Sequence, residues 1–188
     1  MYIIYIIYIL CILCIMNRNI DTEDYILPDE LDVNNKSYIY GEVYETDIYT
    51  IIKSLHNINT ILDVGSGCGK LVIFLSSFYE WVDGVEIHKQ RYNKSVILAE
   101  KYNAHNIDFI FKHFQDIYFG NYDLIYCCNK VFEKNENNIL YTKIVNELKG
   151  YCILFDYNHI LKPYYQSSFT VRTSWNKCET IYLFYIST

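Results

Sequence analysis

Residues 61–69, Ile61-Leu62-Asp63-Val64-Gly65-Ser66-Gly67-Cys68-Gly69, decide how the rest of the chain reads. Two apolar residues lead into an acid, and glycine then stands at every second position. A strand that gives way to a helix needs this composition, because glycine lets the backbone turn tightly and approach a ligand with no Cβ in the way. The spacing is G-x-G-x-G, which differs from the G-x-G-x-x-G that cradles a pyrophosphate. Asp63 sharpens the contrast, since a carboxylate repels phosphate but suits the ammonium of a bound amino acid. The loop therefore implies a ligand with an amino-acid head and no phosphate.

Strand and helix patterns alternate on both sides of this loop. Residues 45–55 carry Ile48, Ile51, Ile52 and Leu55 at helical spacing. Strands are predicted over 60–64, 81–87, 107–114, 122–128 and 151–156, and helices over 69–79, 88–102 and 138–148. After residue 156 there is no room for another long helix. Residues 169–175 and 180–186, separated by Asn176-Lys177-Cys178-Glu179, instead predict an antiparallel hairpin. The expected fold is a single α/β domain over residues 38–188, a Rossmann-like, mostly parallel sheet ending in a C-terminal antiparallel hairpin. A dinucleotide-binding domain would continue with parallel strands and helices. Glu86 ends the second strand, where a carboxylate can accept both ribose hydroxyls, and Asp116 follows the third, at the edge where adenine recognition would fall.

The 188 residues suit one domain, and 52% apolar residues suffice for its core. A formal charge of −6 removes the general electrostatic drive toward phosphate backbones, so nucleic acid is a disfavoured partner. Twenty-one Tyr, abundant Ile and Asn and two Pro fit codons rich in A and T rather than a function. The seven Cys form no paired C-x-x-C clusters, and the five His show no metal spacing. No metal is expected. Free Cys points to a reducing intracellular compartment, cytoplasmic or nuclear.

Residues 1–16 are apolar without a break, yet shorter than the ~20 residues of a membrane-spanning helix. No Lys or Arg precedes the run and Asn17-Arg18-Asn19 follows it, which does not suit a signal peptide. The Tyr-Ile-Ile repeat is what an AT-only nucleotide repeat encodes, and Met16 is a second start. An over-extended reading frame is the favoured expectation; a membrane anchor and an ordinary structural element are the alternatives. Membrane association would rest on these residues alone. Residues 17–37 are polar and acidic, a lead-in before order begins near Tyr38.

The stretch 61–69 resembles the first motif of class I S-adenosyl-L-methionine-dependent methyltransferases. The wider arrangement resembles the catalytic core of the DOT-type histone-lysine methyltransferases. Tyr40-Gly41-Glu42 is similar to that family's cofactor-covering Tyr-Gly-Glu segment, and Gly84-Val85-Glu86 to its ribose-binding strand end. Leu124-Ile125-Tyr126-Cys127-Cys128-Asn129-Lys130-Val131-Phe132 is similar to its fourth motif, where an Asn followed by an aromatic residue lines the active site. Ser174-Trp175 with Tyr182 resembles the final hairpin that walls a lysine channel.

This resemblance covers residues 38–188. It implies S-adenosyl-L-methionine as cofactor, held by Tyr40, Glu42, Asp63, Gly65, Gly67, Gly69, Glu86 and Asp116, and methyl transfer to a protein lysine with Asn129, Trp175 and Tyr182 as the catalytic residues. The family usually has Thr where Val43 stands, a second Asn where Cys128 stands and an adenine-facing aromatic where Ile117 stands. No basic nucleosome-binding segment is present, so histone is not implied. A methyltransferase for a small molecule or RNA, and a cofactor-binding protein without turnover, are the alternatives.

Overall fold

A computed structural model of the protein describes residues 42–187, so the apolar segment 1–16, the lead-in 17–37 and Tyr40 lie outside the described residues. The strand before the glycine loop, β1 (Thr60–Val64), alternates between two cores: Ile61 belongs to one, Leu62 and Val64 to the other. Burial on both faces requires helices on both sides of the sheet. α1 (Glu45–Ile52), α2 (Lys70–Leu75) and α3 (Lys89–Lys101) cover the first face through Ile48, Val72 and Leu98. α4 (Lys134–Glu147) covers the second through Leu140 and Ile144.

The remaining strands are β2 (Trp81–Glu86), β3 (Ile107–Phe111), β4 (Leu124–Cys127), β5 (Gly150–Leu154), β6 (Tyr165–Val171) and β7 (Glu179–Ile186). They form one seven-stranded sheet in the order β3-β2-β1-β4-β5-β7-β6. The first five are parallel, and β7 runs antiparallel to both β5 and β6. This is the expected α/β sheet with its C-terminal hairpin. From β1 the chain builds outward to β2 and β3, then returns to the other side of β1 for β4. The reversal opens a crevice at the carboxyl ends of β1 and β4, where open α/β sheets bind their ligands.

Several boundaries differ from expectation for local reasons. α4 begins at Lys134, because Glu133 and Glu136 form a capping box in which the Glu133 N–H donates to Glu136 Oε2 at 2.8 Å. The polar run before Ile139 is therefore helical without an apolar residue to signal it. α2 stops at Leu75, where the Ser76 hydroxyl donates to the Ile73 carbonyl at 2.7 Å. β6 ends at Val171, so Trp175 stands in a loop and not on a strand. Thr173 and Asn176 close that loop on itself: the Thr173 hydroxyl donates to the Asn176 carbonyl, and the Asn176 N–H donates back to Thr173 Oγ1, each at 2.9 Å. Val43 bridges Thr173, which brings the first described residues against the same loop. Among the described residues no helix is long and apolar enough to cross a membrane.

Candidate active site

Gly65, Gly67 and Gly69 have φ of 79°, 57° and 83°, a region that residues with a Cβ rarely adopt. The loop they form is fastened to β2. The Gly65 and Ser66 N–H groups donate to the Val85 carbonyl at 2.9 and 3.1 Å, and the Gly67 N–H donates to Glu86 Oε2 at 2.9 Å. The glycines are needed for different reasons. A Cβ on Gly69 would lie 2.3 Å from Phe109 Cζ, so close packing demands glycine there. A Cβ on Gly65 would meet nothing within 4 Å, because that position faces open space.

That space is a cleft of about 550 Å³ at the carboxyl ends of β1, β2 and β4, and Gly65, Glu86, Phe114, Phe132, Trp175 and Glu179 are among its walls. Glu86 is buried, with Oε1 accepting the His88 N–H at 2.7 Å. Each Glu86 oxygen thus takes one backbone donor and keeps a lone pair for a ligand hydroxyl. The Phe114 and Phe132 rings stack with centroids 5.8 Å apart and planes 17° from parallel, a flat apolar surface inside the cleft. Phe114 and Ile117 both belong to the second core, but only Phe114 also lines the cleft. Asp116 does not join them. The 3₁₀ turn Phe114–Asp116 turns Phe114 inward and leaves Asp116 exposed, outside the cleft.

Gly65 also borders a pocket of about 50 Å³ shared by Asp63, Glu42, Glu45 and Lys70. Asp63 is only 3% exposed, and its Oδ1 has no hydrogen-bond partner. Burial first, and the nearby Glu86 charge second, push its carboxyl up to about 8. A carboxylate left in this condition is stabilised by whatever donor or cation reaches it. Lys70 does not serve as that cation: its ammonium sits 3.0 Å from Glu42 and 2.9 Å from Glu45. Burial lowers the Lys70 pKa, but those two carboxylates more than offset it and hold the ammonium charged. Glu42 therefore belongs to the pocket, with its carboxylate on Lys70.

On the acceptor side two of the expected residues stand apart from the cleft. Asn129 is completely buried and does not line the cleft. Its Oδ1 accepts the Phe155 and Asp156 N–H groups at 2.9 and 3.0 Å, and its Nδ2 donates to Asn137 Oδ1, Tyr141 Oη and the Asp156 carbonyl at 2.6, 3.1 and 3.1 Å. An amide has two N–H donors, here shared among three acceptors, and two acceptor sites, both filled, so no capacity remains for a substrate nitrogen. Asn129 ties the end of β4 to α4 and the end of β5. Tyr182 is likewise outside the cleft, in T-shaped contact with Tyr157 at 4.7 Å between centroids.

Trp175 does line the cleft, 44% exposed, with its Nε1 donating to Glu179 Oε2 at 3.2 Å. Glu179 and its ion-pair partner Lys130, 2.7 Å away, were not legible in the sequence. They stand far apart in the chain, and nothing in the local spacing of either marks it. Phe114 was missed for a different reason, because the strand pattern absorbed it. Among the described residues no cluster of His, Cys, Asp or Glu is arranged to hold a metal ion.

No protein-family model and no curated protein matches the sequence. Solved structures do match the fold. A magnesium protoporphyrin IX methyltransferase from Synechocystis PCC 6803, crystallised with bound SAM, superposes with a TM-score of 0.61 at 17% identity, over 76% of this chain and 76% of that one. The chain has the class I methyltransferase fold. The N-methyltransferase NodS from Bradyrhizobium japonicum WM9 matches with a TM-score of 0.63 at 10% identity, over 77% of this chain and 94% of NodS. An RNA methyltransferase from Salinibacter ruber in complex with S-adenosyl-L-homocysteine matches with a TM-score of 0.59 at 15% identity, over 74% of this chain and 90% of that one. These likenesses concern the fold alone.

Proposed function

We propose that this protein is an S-adenosyl-L-methionine-dependent methyltransferase and that its acceptor is the side-chain amine of a protein lysine. The observation that carries the cofactor reading is the buried, unpartnered Asp63 beside the open face of Gly65. An ammonium satisfies that carboxylate, and a phosphate does not. Glu86 keeps a lone pair on each oxygen for ribose hydroxyls, and the Phe114–Phe132 surface suits a purine ring. When bound, the cofactor supplies a methyl group activated on a sulfonium. The protein's own task is to align donor and acceptor, with no side chain required as a nucleophile.

A lysine acceptor must be neutral to react, against an unperturbed pKa of about 10.4, and desolvation by aromatic walls favours the neutral form. Trp175 and Phe132 supply such walls. The resemblance of Ser174-Trp175 to a lysine-channel hairpin supports this acceptor, and the net charge of −6 disfavours RNA.

Calorimetry with S-adenosyl-L-methionine and with NAD tests the cofactor. The methyl donor is expected to bind and NAD is not; tighter binding of NAD would overturn the reading. Gly65→Val gives an internal check. Its Cβ would meet no protein atom within 4 Å and the branched side chain would occupy the space beside the loop, so cofactor affinity should fall by about a hundredfold or more. Backbone strain at φ 79° costs ~1–3 kcal/mol of stability. Unchanged affinity in the folded variant would remove the loop from the site.

A further inference from the structure

Glu179, the first residue of β7, turns a buried carboxylate into the cleft, and its two oxygens are held in different ways. Oε2 receives two neutral donors from its own loop, Trp175 Nε1 at 3.2 Å and Asn176 Nδ2 at 3.3 Å. These fix where the carboxylate points. Oε1 is held at 2.7 Å by Lys130, whose side chain is 44% exposed. A lysine on a flexible stem with its other side in water is a partner that another cation can replace. Burial works against the charge on Glu179, but the bonds from Lys130, Trp175 and Asn176 outweigh it and hold the carboxyl below the usual range.

The cleft thus contains a pre-oriented anion capped by an exchangeable cation. We infer that Glu179 is a specificity residue for the acceptor, pairing with a positive charge that flanks the methylated nitrogen and taking it in place of Lys130. This rests on the methyltransferase reading above.

The flanking charge, and not the target nitrogen, is the one Glu179 suits. A carboxylate in contact with the target would hold it protonated and unreactive. A second cation nearby suffers no such penalty, and the exposed Trp175 ring beside Glu179 offers it a π face as well. The substrate class is a polypeptide segment with a basic residue close to the lysine that is methylated. Lys130, released, swings into water.

A fluorescent oligolysine peptide, titrated by anisotropy in the presence of S-adenosyl-L-homocysteine, tests this. Glu179→Gln should weaken peptide binding about tenfold, the scale of one hydrogen-bonded charge contact. Lys130→Gln should tighten it several-fold, because the internal competitor is gone. Affinity for S-adenosyl-L-homocysteine, measured separately by calorimetry, should stay the same in both. The opposite signs are decisive, because a merely structural ion pair would make both variants melt lower and move binding the same way. Parallel shifts, no shift, or no peptide binding by the wild type would overturn the inference. Failure of the wild type to bind S-adenosyl-L-homocysteine would instead overturn the methyltransferase reading, and the calorimetry reports that independently of the peptide.

Discussion

Asp63→Asn is expected to make the empty protein more stable at pH 8 and, at the same time, to weaken S-adenosyl-L-methionine by roughly a hundredfold, the scale of a buried charge-assisted contact. Both effects follow from one atom. Asp63 Oδ1 is buried without a partner, and its carboxyl is raised from 3.8 to about 8. In the unfolded chain the group ionises near pH 4, while in the folded protein it keeps its proton to about pH 8. The folded state therefore binds the extra proton between these values. Its contribution to stability is complete below pH 4, is lost as the pH rises from 4 to 8, and stays lost above that. Asn cannot ionise, so the variant escapes this loss. Its melting temperature should match the wild type at pH 4 and exceed it by ~10–20 °C at pH 8.

Ligand binding should carry the mirror image. The ionised form of Asp63 is the one that holds an ammonium, so below pH 8 the carboxyl must release its proton when the cofactor binds. Wild-type affinity should fall about tenfold per pH unit from 8 to 6. Above pH ~8 it should fall again as the ligand's own α-amino group titrates. The acidic limb should be missing in Asp63→Asn. Calorimetry in buffers of different ionisation enthalpy would count the released proton. A variant that melts lower than the wild type and binds the cofactor equally well would remove Asp63 from the site.

The sequence disclosed this pocket because its chemistry is local. Asp63, the three glycines and Glu86 lie within two strands and one turn, and the positive φ angles of the loop dictate the glycines. The sheet was legible for the same reason, since β1 and β4 are short apolar runs between turn signals, as doubly covered strands must be. The acceptor side was not legible, because it is assembled from distant parts of the chain. Lys130 meets Glu179 only after β5, β6 and the loop between β6 and β7 have been placed. Asp116 and Phe114 show a finer limit. Both follow β3 by a few residues, and only the turn geometry decides which one enters the cleft. Asn129 shows what a motif leaves out: its place at the end of β4 matches a catalytic motif, while its burial and five hydrogen bonds, which tie β4 to α4 and β5, are visible only in the fold.

That difference makes Asn129→Ala the most destabilising substitution expected here. The change would leave the Phe155 and Asp156 N–H groups without their acceptor, and Asn137 and Tyr141 without their donor, at a junction of β4, α4 and β5. Each buried group left unpaired costs ~1–3 kcal/mol, so the loss should be ~3–5 kcal/mol with partial relaxation. For a domain of this size that lowers the melting temperature by roughly 10–15 °C. Asn129→Asp separates the two halves of the network. It keeps an acceptor for the two N–H groups but removes the donors and buries a charge, so it should be destabilised as well. Well below the melting point, Asn129→Ala should retain S-adenosyl-L-homocysteine affinity within a few-fold, because its side chain does not line the cleft. Melting curves and calorimetry on the same preparations settle the matter. A variant that melts like the wild type yet transfers no methyl group would return Asn129 to the chemistry, as the motif around it first suggested.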